Sequence, residues 1–270
     1  MWDVLSSTWG DLTVKCGYRH PIIIAFIACS LTAQIAEPKR YECHRAAHPI
    51  HIDGKLDDAE WQRASWTDDF IDIVGPAKPR PRFRTRAKLL WDDTYLYIAA
   101  ELEEPDVSAT LTAHDSVIFH DNDFEVFLKP PGNGKSYFEF EINALNTSWD
   151  LFLPKPYKEG GKADDSWDIP GLKTAVAIDG SLNNPKDRDK GWTVEIAIPW
   201  KAFTSRVPVS SPVSGDEWRL NFSRVEWRYN VVDGKYVKVP KTPEDNWVWS
   251  PQYVVNMHVP DRWGFLRLTN

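Results

Sequence analysis

Two stretches of the sequence decide the fold, DFEVFL at Asp123–Leu128 and YFEFEIN at Tyr137–Asn143. In both, apolar and polar residues alternate with the period of two that is typical of a β-strand. This alternation puts Glu139 and Glu141 on one face, and Asp123 and Glu125 share a face in the same way. The opposite face is apolar and is predicted to point into the core. If the two strands are neighbours, their acidic side chains form one patch on a sheet.

The same alternation recurs from His48 to the end of the chain, between turns rich in Gly, Pro, Asn and Asp. Only Asp57–Ala64 has the acidic first turn expected at the start of a helix. With no alternation of strands and helices, the pattern favours an all-β antiparallel sandwich, of immunoglobulin or jelly-roll type, with short helices. The predicted strands are 86–91, 95–102, 124–128, 137–143, 149–153, 173–178, 192–198, 218–227 and 264–268.

Composition narrows the class of ligand. The 270 residues include 14 Trp, and 13% of the residues are aromatic. So many Trp indicate a strand-rich core, a surface that stacks on planar or pyranose-like ligands, or both. The net charge of −7 argues against a general nucleic-acid binder. Neutral or cationic ligands are the expected partners.

The first 36 residues are predicted to be a targeting segment. Pro21–Ala36 carries no charge and follows Lys15 and Arg19, which is the pattern of a signal peptide, although an uncleaved anchor remains an alternative. Phe26–Cys29 resembles a bacterial lipobox, which makes Cys29 a candidate lipid anchor. We expect an exported protein, periplasmic, secreted or held as an outer-surface lipoprotein, without stable membrane insertion after processing. Residues 37–270 are then one domain, in which Cys43 is a lone thiol.

Five motifs, in order, resemble the family 9 carbohydrate-binding modules, and in particular a stand-alone exported bacterial branch. The resemblance implies a β-sandwich of the family 9 and DOMON-like group that binds carbohydrate. The motifs are IDGKLDDAEW at 52–61, AKLLWDDTYLY at 87–97, DNDFEVFL at 121–128, WTVEIAIPW at 192–200 and WGFLRL at 263–268.

The resemblance also implies a site, in which a terminal sugar lies between two Trp rings and is held by an Arg, a Glu and an amide side chain. Aligned on this chain, the Glu falls on Glu125 and the first Trp on Phe119. The second Trp falls on Met257, the Arg on Glu141 and the amide on Val254. One position therefore matches and one is a conservative change.

Five residues are predicted to bind the ligand: Phe119, Glu125, Glu141, Trp149 and Trp247. Aromatic rings stack on pyranose faces, and carboxylates hydrogen-bond to hydroxyls. The same reasoning makes Trp167 and Trp249 candidates, since they too lie near turns. The alternative for the carboxylates is that they form the solvated face of an antiparallel sheet. Four Trp lie in structural motifs and are expected in the core, namely Trp61, Trp91, Trp192 and Trp200.

The expected function is non-catalytic carbohydrate binding without a cofactor. One alternative is an accessory role in glycan breakdown, either hydrolysing O-glycosyl bonds with paired carboxylates or depending on calcium. The calcium candidates are Asp121 and Asp123. A third alternative is a protein-interaction domain that binds no sugar.

Overall fold

The computed structural model describes residues 36–132, 134–209 and 211–270. The predicted targeting segment, with Cys29, lies outside the described residues except for Ala36. The described residues contain two short helices, α1 (Ala59–Arg63) and α2 (Trp200–Thr204), and none of their helices is long and apolar enough to cross a membrane. The strands are β1 (Arg40–Arg45), β2 (Ile71–Asp72), β3 (Thr85–Trp91), β4 (Tyr95–Glu103), β5 (Asp123–Lys129), β6 (Tyr137–Asn143), β7 (Ser148–Leu153), β8 (Lys173–Asp179), β9 (Gly191–Pro199), β10 (Glu217–Glu226), β11 (Tyr229–Val232), β12 (Lys235–Lys238), β13 (Asp245–Val248) and β14 (Gly264–Thr269).

The all-β prediction is confirmed, and every predicted strand is present to within about two residues at each end. Five strands were not predicted. β2 has only two residues, and β11 and β12 form an exposed hairpin whose short sequences carry little alternation. β1 reads RYECHR, which is too charged to suggest a strand, although Tyr41 and Cys43 alternate with exposed residues and face the core.

The strands form a sheet that folds back on itself into two layers. One layer has the order β7-β6-β5-β10, with β13 and β2 continuing from β10, and the other has the order β1-β3-β4-β9-β8. β14 joins them by pairing with both β10 and β1. The pairings of β1 with β14 and β3 are parallel, whereas the other pairings between these strands are antiparallel.

The core fills the space between the layers with the apolar sets that the alternation predicts. Phe124 and Phe222 stack at 5.3 Å between ring centroids within one layer. Phe138 of β6 packs against Phe203 of α2 at 4.8 Å. Cys43 is a free thiol, fully buried in β1, and burial raises its pKa. Trp91, Trp192 and Trp200 are buried in this core, and Trp61 of α1 is buried between its own helix and the sheet, so the prediction for all four is confirmed.

The outer faces of the two layers are covered differently. Over β3, β4 and β9, the segment that includes α1 lays Trp61 on Leu90 and Tyr97 and completes a second apolar cluster. Over β5, β6 and β7, a third cluster around Tyr137, Met257 and Trp263 covers only part of the sheet. The uncovered part of this outer face carries the acidic side chains of β5 and β6. The candidate site lies there.

Candidate functional site

The predicted acidic patch exists, because β5 and β6 are antiparallel neighbours. Their register sets Glu125 opposite Glu141 and Asp123 opposite Asn143. β10 pairs with β5 on its other edge and places Ser223 opposite Glu125. Adjacent strands therefore present three glutamates, Glu125, Glu139 and Glu141, on the outer face of one layer.

These carboxylates are not a solvated face. Glu125 and Glu139 are each 5% exposed and Glu141 is 1% exposed. Residues 244–258 and the turn before β5 rise around them and exclude most of the water. The structure thus decides against the alternative that these side chains merely face solvent.

The carboxylates form the floor of an open pocket of about 430 Å³ on this outer face. Phe119 and Trp149 form part of its wall, with 6.4 Å between their ring centroids and 35° between their planes. Tyr157 and His258 lie against each other edge to face at 4.5 Å, also in the wall. Pockets of this size hold small molecules, and this one combines aromatic walls with a carboxylate floor.

Four of the five predicted ligand-binding residues line this pocket: Phe119, Glu125, Glu141 and Trp149. The structure does not bring Trp247 to them. Its side chain is 3% exposed and lies in the core, 6.2 Å from the Phe83 ring and 5.2 Å from the Arg224 guanidinium. The alternation along β13 explains this, because Asn246 faces the pocket and Trp247 therefore points inward.

The remaining candidate residues also separate into those that line the pocket and those that do not. Trp167 and Trp249 are buried in the core and leave Trp149 as the pocket residue among the four Trp near turns. Met257, which aligns with the second Trp of the resemblance, lines the pocket. Val254 is 38% exposed and is not among the described lining residues.

Among the side chains that line the pocket, the sequence analysis missed Tyr157 and His258, as well as others such as Glu244 and Asn246, and it left Glu139 outside the predicted ligand-binding set. Glu139 shares a face with Glu141, so the alternation already contained its signal. Tyr157 lies in a single turn of 3-10 helix and His258 in a loop, where no periodic pattern exists. His258 Nδ1 lies 2.8 Å from the Tyr137 hydroxyl, which fixes the ring against the pocket wall.

Burial and mutual repulsion govern protonation in the pocket. Burial raises the pKa of Glu125 to about 7. Burial, together with the charge of Glu125, holds the pKa values of Glu139, Glu141 and Asp123 well above their ordinary range. Carboxylate oxygens of Asp123, Glu125 and Glu141 lie within 4.8 Å of one another. At that separation two full charges repel by about 3 kcal/mol at an effective dielectric constant of about 20. The cluster therefore keeps some of its protons at neutral pH.

Two other side chains in the pocket wall, His258 and Tyr157, also have pKa values shifted from their ordinary values. Burial lowers the pKa of His258 to about 4, so the ring is neutral at pH 7 and supplies no positive charge. Burial, reinforced by the charge of Glu139, raises the pKa of Tyr157 to about 12. Both side chains consequently act as neutral hydrogen-bonding groups.

Several polar atoms of the pocket have no hydrogen-bond partner among the described residues. They include Glu139 Oε2 and Trp149 Nε1, and also Asp123 Oδ2 beneath the floor. By contrast, one oxygen of Glu141 accepts the Phe119 backbone N–H at 3.0 Å. Buried polar atoms without a protein partner are the groups that a ligand or water satisfies.

Two groups of side chains in the described residues have a spacing that could hold a metal ion. One is Asp123, Glu125 and Glu141, and the other is an exposed group of His114, Asp115, Asp150 and Asp168. The calcium candidates behave differently from each other. Asp121 accepts hydrogen bonds from Thr110, Leu111 and Asn143, so it ties the preceding turn to β6. Asp123 keeps one oxygen free.

Comparison with known proteins agrees with this architecture. The profile of the family described as "Carbohydrate family 9 binding domain-like" matches residues 52–269. The chain belongs to this family.

Two solved structures share the fold of this family 9 chain. A Bacteroides uniformis protein, described as a candidate carbohydrate-binding protein, superposes with a TM-score of 0.63 at 16% identity, covering 85% of this chain and 99% of its own. A family 9 module from Caldicellulosiruptor kristjanssonii, solved with cellotriose, has a TM-score of 0.53 at 18% identity, covering 86% of this chain and 94% of its own. The same module has also been solved with glucose.

A curated relative is similar over part of the chain. Exoglucanase XynX of Acetivibrio thermocellus is 27% identical over 154 residues, which make up 57% of this chain. The match covers 12% of that enzyme. The similarity therefore concerns one segment of a much larger protein.

Proposed function

We propose that this protein binds carbohydrate non-covalently in the outer-face pocket, with one sugar unit resting on Phe119 and Trp149 above the glutamate floor. The observation that carries the proposal is the joining of these two aromatic rings and three buried carboxyl groups in one open pocket. Apolar faces of a pyranose stack on aromatic rings, while its hydroxyls hydrogen-bond to carboxyl oxygens. The glucose and cellotriose complexes of the Caldicellulosiruptor module lend support from the same fold.

Binding is favoured over hydrolysis by the arrangement of the carboxyl groups. A glycosidase needs two carboxyl groups on opposite sides of the scissile bond, about 5–5.5 Å apart in retaining enzymes and about 6.5–9.5 Å in inverting ones. Here, Glu125 and Glu141 lie side by side on neighbouring strands in the floor of the pocket. We expect both to meet a bound sugar from the same side, so their placement on one sheet favours binding over hydrolysis.

We expect the site to act outside the cytoplasm, since the first 36 residues have the pattern of a signal peptide. N-terminal sequencing of the protein recovered from its native host tests this expectation. A start near residue 37 supports export by cleavage. A lipid-modified Cys29 at the N-terminus supports surface anchoring instead.

Calorimetric titration of the purified protein with glucose, cellotriose and a wider panel of oligosaccharides tests sugar binding. We expect saturable binding to at least one sugar, and Trp149→Ala should weaken it by at least about tenfold because the stacking surface is lost. The melting temperature should fall by less than about 5 °C, since the ring is only half-buried.

Trp66→Ala is the matched control. Trp66 is also a half-buried ring, but it is capped by Arg86 at 4.0 Å and Lys88 at 4.5 Å and does not line the pocket. Its removal should leave affinity unchanged. Equal losses in both variants, or no binding to any sugar, would refute the proposed function.

Calcium dependence is a second candidate, supported by the spacing of Asp123, Glu125 and Glu141. If calcium occupies this group, a chelator lowers both the melting temperature and the sugar affinity, and added calcium restores them. If the chelator changes neither the melting temperature nor the sugar affinity, the protein does not depend on calcium.

A further inference from the structure

The pocket concentrates carboxyl groups without any cation to balance their negative charge. Glu125, Glu139 and Glu141 lie in its floor and Glu244 lies in its wall. Among the described residues that line it there is no Lys or Arg, and His258 is neutral at pH 7. Carboxyl groups buried this deeply are normally paired with a positive charge.

The other buried acidic cluster of the described residues follows that rule. Arg224, fully buried, lies between Glu104 and Glu226, with Nη2 at 2.6 Å from one carboxylate and 2.8 Å from the other. Arg82 adds a second contact to Glu226 at 3.5 Å. Both clusters lie against β10, so the chain supplies a cation to one of them and leaves the other open to a ligand.

The pocket also has the contacts that an ammonium group requires. Glu139 is 5% exposed, and its Oε2 has no hydrogen-bond partner among the described residues. The rings of Phe119 and Trp149 stand beside the carboxyl groups, and aromatic faces attract cations. A pocket with a carboxyl floor and aromatic walls suits a ligand whose pyranose ring stacks on the aromatic side chains and carries one positively charged group.

We infer that the pocket selects an amino sugar, a pyranose in which a protonated amine replaces one hydroxyl and contacts Glu139 and its neighbours. This inference rests on the proposed function, because it names the class of sugar held at that same site. The positive charge of the amine balances the negative charge of the ionised glutamates in the pocket floor, which have no Lys or Arg beside them among the described lining residues.

Calorimetric titration with glucosamine and glucose at about pH 7 and low salt tests the inference. We expect glucosamine to bind about tenfold more tightly than glucose, and the preference to shrink as salt screens the charges. Glu139→Gln and Glu141→Gln should each reduce the preference to about threefold or less while preserving side-chain shape.

Glu42→Gln is the matched control, because Glu42 is an exposed carboxylate on β1, away from the pocket. It should leave the preference for glucosamine unchanged. Melting curves of all three variants establish that each is folded during the titration.

Three results would overturn the inference while leaving the proposed function intact. They are equal affinity for glucose and glucosamine, equal affinity for glucosamine and N-acetylglucosamine, and a preference that survives in both pocket variants. Ethanolamine binding as tightly as glucosamine, or calcium binding more tightly at the same glutamates, would also overturn it. Failure of every sugar to bind would refute the proposed function itself.

Discussion

Both outer faces of the sandwich bury glutamates, and Glu195 on one face differs from Glu139 on the other in what surrounds it. Under the α1 segment, Glu195 of β9 accepts N–H groups from Trp61 at 2.7 Å and from Asp53 and Gly54 at 2.8 Å. On the other face, Glu139 of β6 keeps one oxygen without a partner beside an open pocket. A carboxylate surrounded by protein donors holds a segment in place, whereas one that lacks them is available to a ligand.

The Asp53-Gly54 turn shows how closely the first face is fitted. Gly54 has φ +86°, and a Cβ there would lie 2.6 Å from the Val176 carbonyl carbon. Glycine is therefore required for the backbone to approach the sheet and donate to Glu195. The turn therefore leaves no room for a ligand beside Glu195, and this glutamate is structural.

The largest expected effect contrasts Glu195→Gln with Glu139→Gln. The first variant turns an amide NH2 group toward N–H donors and leaves at least one of them buried and unpaired, which should cost about 3 kcal/mol in free energy of unfolding. The second should cost less than about 1 kcal/mol, because the replaced oxygen has no protein partner. Urea unfolding of both variants measures the difference. Equal losses in free energy of unfolding would mean that both glutamates stabilise the fold to the same extent, and would contradict the difference inferred between the two faces.

A smaller effect concerns the pH dependence of stability. Glu125 has an ordinary pKa of 4.5 and a folded-state pKa of about 7, so its protonation stabilises the fold. That stabilisation is complete below pH 4.5 and is lost as the pH rises through 7. Glu125→Gln removes this dependence, and the variant should gain about 2.5 kcal/mol relative to the native protein between pH 5 and pH 8.

Urea unfolding at several pH values provides the measurement, and Glu42→Gln, at an exposed carboxylate, is the control. Taking the difference between variant and native protein cancels the titration of groups that Glu125 does not influence. The carboxyl groups whose pKa values its charge raises, Glu139, Glu141 and Asp123, contribute to the difference together with Glu125. A difference that stays flat with pH would show that Glu125 titrates normally, which would contradict its burial among like charges.

The sequence was sufficient for nine of the fourteen strands in the described residues and for most of the pocket floor, because both follow from a period of two. Tyr137–Asn143 has the predicted bounds, and its alternation correctly separated Glu139 and Glu141 from Phe138 and Phe140. The pairing of β5 with β6 then brought Glu125 beside Glu141. Local pattern and nearest-neighbour pairing were enough at these positions.

The rest of the site depends on contacts between distant parts of the chain. Tyr157 and His258 are about a hundred residues apart, in segments without periodicity, and meet only because both pack around β6. Trp247 had the aromatic chemistry of a ligand contact, but its direction is fixed by β13 pairing with β10 and β2. A four-residue strand carries too few positions for the sequence to reveal which face is buried.

The contrast between structural and ligand-facing side chains extends to Trp247 and Trp149, and it gives the smallest predicted effect. Trp247 is packed against Phe83 and between the guanidinium groups of Arg224 at 5.2 Å and Arg82 at 5.6 Å. Trp247→Phe shortens this contact surface but keeps an aromatic face for the cations, so it should lower the free energy of unfolding by about 1 kcal/mol. Sugar affinity should remain within about twofold of the native value, since the ring does not reach the pocket. Calorimetry and urea unfolding of the same preparation test both statements. A loss of sugar affinity without a loss of stability would show that Trp247 takes part in binding.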